Sequence, residues 1–104
     1  MTDAMKIRAQ LRGEVADIKV LMAHPMETGL RKDPISGEAV PLHFIQRVFA
    51  TLNGKIVMEA QWSQAVSRNP FLNFRVRGAK PGDKIVIGWE DNKNESANIE
   101  AVLN

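Results

Sequence analysis

The chain has 104 residues, 44% of them hydrophobic, no cysteine, and a formal charge of +2. That length fits one compact domain with a single modest core, and the apolar fraction argues against general disorder. Without cysteine there are no disulfides, no thiol catalysis and no thiolate metal site, and a small charge with both signs interspersed does not call for a nucleic-acid or membrane partner.

Met1-Thr2-Asp3-Ala4-Met5-Lys6 contains no apolar leader core and no cleavage site, which taken alone reads as cytoplasmic. The longest apolar runs are too short to span a bilayer. Ile7, Ala9 and Leu11 alternate with Lys6, Arg8 and Gln10, the pattern of a half-buried strand stopped at Gly13. Ile18, Val20 and Met22 then alternate with Asp17, Lys19 and Leu21. Pro25 lacks a ladder donor and should end that pairing. Residues 27–41 carry Gly29, Pro34, Gly37 and Pro41 among charges, a long loop of the kind that often carries function.

Residues 40–52 admit two readings. Val40, Phe44, Ile45, Val48, Phe49 and Leu52 fit a helical stripe with Asn53-Gly54 as its C-cap. Alternatively, Asn53-Gly54 is a hairpin turn, followed by Ile56, Met58, Ala60 and Trp62 in alternation with Val57, Glu59 and Gln61. The hairpin is preferred, because the second strand needs a partner. Ser67–Pro70 is a turn, and Leu72, Phe74 and Val76 mark a strand. Lys80-Pro81-Gly82-Asp83 turns again before Ile85, Ile87 and Trp89. Asp91-Asn92-Lys93-Asn94 is a further turn, and Ile99, Ala101 and Leu103 close the chain. The sum is an all-β domain over 1–104: a sandwich or barrel of about seven short antiparallel strands, without a helix.

Candidate chemistry is sparse. Met22, His24 and Met26 would share one face of an extended strand, and two thioethers with an imidazole suit Cu(I). The preferred reading leaves Met22 in the core and has His24 position the loop. His43 could join His24 and Glu27 around zinc, but the spacing matches no known site, so His43 is expected as an exposed polar residue at a strand end. Ser67 has no nucleophile setting, and Asn94-Glu95-Ser96 reads as a chance sequon. Arg75, Arg77, Lys80 and Lys84, with Phe71, Phe74 and Trp89 nearby, allow an alternative: an OB-like single-stranded nucleic-acid-binding module. Against it, Phe74 and Trp89 fall on apolar strand faces and belong in a core. No catalytic residue, cofactor or metal is expected. A small sandwich with open edges is a natural interaction module, and the isolated chain is expected to self-associate through such an edge.

The runs His24-Pro25-Met26-Glu27-Thr28-Gly29-Leu30-Arg31-Lys32-Asp33, Val40-Pro41 through Ile45 to Leu52-Asn53-Gly54, Asn69-Pro70-Phe71 and Gly88-Trp89-Glu90-Asp91-Asn92 occur in this order. Together they make the chain resemble the SoxZ family, the Z subunits of the SoxYZ sulfur-carrier complex of thiosulfate oxidation. The resemblance implies an immunoglobulin-like β-sandwich and favours the hairpin reading of residues 40–52. It implies a non-catalytic subunit that pairs with a SoxY-like subunit, whose C-terminal arm carries the sulfur intermediate on a cysteine. This chain has no cysteine and ends at Asn104 without a glycine-rich tail, so it resembles the supporting subunit, with transient contacts to other Sox enzymes and none to nucleic acid or membrane. The resemblance also implies a periplasmic location, by co-export with a signal-bearing partner. His24, Met26, Glu27, Arg31, Asn69 and Phe71 are the candidate partner contacts, Arg31 through a carboxylate and Phe71 as an aromatic anchor.

Overall fold

A computed structural model describes residues 5–104; Met1–Ala4, part of the segment read above for a leader, lie outside the described residues. Seven strands form: β1 (Met5–Arg12), β2 (Val15–Met22), β3 (Ile45–Leu52), β4 (Lys55–Gln61), β5 (Phe71–Arg77), β6 (Lys84–Asp91) and β7 (Ser96–Val102). They make two antiparallel sheets, β1-β2-β5 and β4-β3-β6-β7. This is the immunoglobulin-like sandwich in a variant where the fourth strand joins the edge of the larger sheet, next to β3, instead of the smaller one. The five-stranded barrel of the nucleic-acid alternative does not form.

The alternation read from the sequence decides which side chains meet between the sheets. Ala16, Ile18, Val20 and Met22 from β2 face Val48 and Ala50 from β3 and Ile85, Ile87 and Trp89 from β6, all buried. Phe74 packs against this core and Trp89 lies within it, so neither is presented to a ligand. The turns follow their residues. Asn53 and Gly54 take left-handed φ of 51° and 86° between the paired Leu52 and Lys55, which makes a type I′ hairpin. Pro81-Gly82 forms a type II turn, with Gly82 at φ 89° and the Asp83 amide donating to the Lys80 carbonyl.

The long loop between β2 and β3 is more ordered than its composition indicated. Glu27 and His43 exchange both backbone hydrogen bonds, and Val40 donates to the Arg31 carbonyl. The tip closes where Gly37 donates to the Asp33 carbonyl and Asp33 to that of Glu38. The result is a hairpin-like arm, residues 27–43.

On the outer face of the larger sheet, Phe49 lies directly over Gly88, its partner on β6. The Arg47 guanidinium stacks 4.5 Å from the Phe49 ring centre and is held there by Glu59 and Glu90. A Cβ on Gly88 would stand 2.5 Å from the ring. Gly88→Ala should therefore lift Phe49 off the sheet and cost about 1–3 kcal/mol by overpacking. In urea unfolding, Phe49→Leu in the same chain should recover part of that loss; equal stability of Gly88→Ala and the parent would refute this packing.

Candidate functional site

The four sequence runs singled out above converge at one end of the sandwich. β2 ends at Met22, and its last amide donates to the Pro70 carbonyl. His24 is clamped next: its amide donates to Asn69 Oδ1 at 3.1 Å, and the Asn69 amide returns a bond to the His24 carbonyl at 2.9 Å. Asn69 accomplishes this with φ at 52°, a left-handed conformation that asparagine tolerates better than most residues. From the other sheet, β6 delivers Asp91 at its last position.

Asp91 is the centre of the site. Its Oδ2 accepts from His24 Nε2 at 2.9 Å and from His43 Nε2 at 2.7 Å. Its Oδ1 accepts from the amides of Lys93 and Glu95, both at 2.9 Å, which shapes the β6–β7 turn. All four acceptor positions of the carboxylate are thus filled. His24 and Asp91 are both buried. Burial pushes the Asp91 carboxyl up, but the bonds from His24, Glu95, His43 and Lys93 outweigh it and bring the group from its ordinary 3.8 to about 2. Asn92 completes the closure, with its Oδ1 accepting from the Phe44 amide and its Nδ2 donating to the Leu42 carbonyl.

The tautomer of His24 follows from its neighbours. The Met26 amide donates to His24 Nδ1 at 3.1 Å, so Nδ1 carries no proton and Nε2 is the N–H that meets Asp91. The ring also stands edge-on to Trp89, with centres 4.9 Å apart, and to His43 at 4.4 Å. Met26, at φ 48°, turns its sulfur back to accept from the Ile45 amide. Trp89 Nε1 has no hydrogen-bond partner among the described residues. His43 Nε2 additionally lies 2.9 Å from Glu95 Oε1, the exposed member of the group.

His24, His43 and Asp91 gather their ligand atoms closely enough to be considered for a metal. Two features oppose it. Metal-bound histidine ordinarily donates from its second ring nitrogen, whereas Nδ1 of His24 accepts. Tetrahedral ligands at zinc-like bond lengths sit about 3.3 Å apart, whereas both histidines are at hydrogen-bonding distance from Asp91. The Cu(I) arrangement does not form either: Met22 is core, the Met26 sulfur is an acceptor, and both His24 nitrogens are engaged.

Several sequence expectations are corrected here. His43 is not an exposed strand-end residue, because Asp91 draws its ring inward, to a side-chain exposure of 17%. His24 and Met26, two of the candidate partner contacts, are buried within this chain, bonded to Asn69 and Ile45. Arg31 does lie at the surface, and the part-buried Glu27 is locked to it in a two-pronged ion pair. Asn69 is exposed and serves as a backbone clamp, and Phe71 is 61% exposed at the start of β5. Sequence reading missed Asp91 as the organiser. It also missed Leu30 and Ile35, which stand 87% and 96% exposed on the arm. Two bulky apolar residues in an otherwise polar loop were the available signal.

Because Asp91 is held below its ordinary value, its ionisation contributes stability that is complete above about pH 4 and is lost as pH falls through about 2. The shift corresponds to about 2 kcal/mol. Asp91→Asn should cost about 2–4 kcal/mol at neutral pH, and its urea midpoint should vary less than the parent's across that acid range. Parallel pH profiles for the two chains would contradict the assignment.

The family model described as "Sulphur oxidation protein SoxZ" matches residues 5–102, nearly the whole chain. No curated protein matches it. The residues that close the end of the sandwich, His24, Asn69, Asp91 and Asn92, all lie inside the matched span, and so does the arm. The chain belongs to the SoxZ family of sulfur oxidation proteins.

Proposed function

We propose that this protein is the non-catalytic subunit of a sulfur-carrier heterodimer, and that its arm is a principal contact for a SoxY-like partner bearing the sulfur on a cysteine. Membership of the family supports a role in sulfur oxidation. The observation that carries the partner reading is the arm itself. Burying large apolar side chains is the usual outcome of folding, yet Leu30 and Ile35 stand almost fully in water on a hairpin fixed at its base by Glu27 and His43. A rigid apolar projection loses little conformational entropy on docking, which favours affinity. Arg31 and Lys32 flank it and suit an acidic rim on the partner, although Arg31 would first share or exchange its bond with Glu27.

The chemistry then belongs to the partner. In this subunit His24 has both ring nitrogens committed, and His43 points into two carboxylates. Its contribution is to stabilise the carrier and present its loaded arm to the enzymes of the cycle, in the periplasm, after export together with the signal-bearing partner. Fractionation tests the last point: this chain should reach the periplasm only when co-expressed with that partner.

Leu30→Asp with Ile35→Asp tests the arm. Both side chains are solvent-exposed, so thermal unfolding of the isolated chain should not change. Affinity for the cysteine-bearing subunit, measured by calorimetry, should weaken by about 2 kcal/mol or more. Unaltered affinity would remove the arm from the interface, and no binding by the parent chain would remove the heterodimer reading.

A further inference from the structure

We propose that the outward face of the β1-β2-β5 sheet is a second docking surface, made for an acidic protein segment that ends in an apolar side chain. Strand pairing stacks three alternating patterns into one layer. Across it, Lys6, Leu21 and Phe71 form one row; Arg8, Lys19 and Asn73 the next; then Gln10, Asp17 and Arg75; then Arg12, Val15 and Arg77. All six cations are exposed. The face therefore holds six of the fourteen cations and one of the twelve carboxylates. The other described residues, with eight cations and ten carboxylates, are net negative, so a total of +2 conceals a polarised molecule.

None of the six cations makes an ion pair among the described residues, in contrast to Arg47 on the opposite sheet, which has two. Asp17, the one acid on the face, forms none either, and its Oδ1 has no hydrogen-bond partner among the described residues. Charges on β1 and β5 alone would be explained as protection of sheet edges. That explanation does not reach Lys19, which sits on the central strand directly opposite Arg8. Like charges in that position destabilise a sheet. A bound carboxylate-rich segment supplies the missing counter-charge.

At one end of the face, Lys6, Ile7, Arg8, Lys19, Leu21 and Phe71 line a shallow depression. Leu21 and Phe71 are 41% and 61% exposed there, an apolar seat beside the cations. A single-stranded nucleic acid is the poorer fit, because successive bases need stacking platforms and Phe71 is the face's single aromatic side chain. No arm residue lines this depression, and the test of the face does not depend on the sulfur-carrier assignment.

The test is an NMR titration of the full chain with a synthetic Glu–Ser repeat peptide ending in Leu. Shifts should map to β1, β2 and β5 and to Leu21 and Phe71, weaken with added salt, and shrink when the terminal Leu is replaced by Ser. Lys19→Glu should weaken binding about tenfold or more while raising the melting temperature, since Arg8 then faces an opposite charge. Arg8→Glu should give the same two changes, and Lys55→Glu on the other sheet should leave binding as it was. The proposal is overturned if shifts scatter over the molecule, if all three variants lose binding equally, if neither reversal on the face weakens it, or if an oligothymidylate binds this face more tightly than the peptide.

Discussion

One carboxylate governs the functional end of this protein. Asp91 takes four N–H donors: two from the turn it initiates, one from a histidine on the long connection out of β2, and one from a histidine at the base of the arm. In a buried setting such bonds are strong, and each donor left without its acceptor would carry a desolvation penalty. The β6–β7 turn, the segment around His24 and the base of the arm must therefore be placed together or not at all. Asn69 and Asn92 extend the same closure to the β4–β5 connection and to the strand entry at Phe44. The core holds the sheets against each other; the Asp91 group decides how their open end is finished.

That closure explains the division of labour across the surface. The histidines, the groups best suited to proton transfer near neutrality, are spent on architecture. What remains outward is contact surface of three kinds. The arm offers apolar side chains on a braced hairpin. The larger sheet covers its glycine with Phe49 and balances Arg47 with two glutamates. The smaller sheet leaves its cations unbalanced. The bonds that hold the arm, the segment around His24 and the β6–β7 turn are concentrated at this one end of the sandwich.

Several expectations failed for a common reason. His24 and Met26 were placed among surface contacts because they open a polar loop. Their burial follows from long-range bonds, His24 to Asn69 and Asp91, Met26 to Ile45. His43 was assigned to the surface for its place next to a strand, yet its ring closes onto a carboxylate 48 positions later. Leu30 and Ile35 were overlooked because a loop so rich in glycine, proline and charge gives no periodicity from which to read exposure. The composition of residues 27–41 marked a loop correctly but not a structured one, since its order comes from cross-bonds such as Val40 to Arg31.

The sequence by itself determined the strands, their inward faces and most of the turns. Side-chain alternation, the left-handed Asn53-Gly54 pair and the Pro81-Gly82 turn are local properties, and local sterics and hydrophobicity act on them directly. It also determined the family, through runs that are recognisable in order. Only the tertiary structure decided that those runs meet, that two histidines share one aspartate, and that the cations of Lys6, Arg8, Arg12, Lys19, Arg75 and Arg77 lie in a single layer. Those relations join residues up to some seventy positions apart through strand register and sheet order, for which no spacing within one segment carries the information.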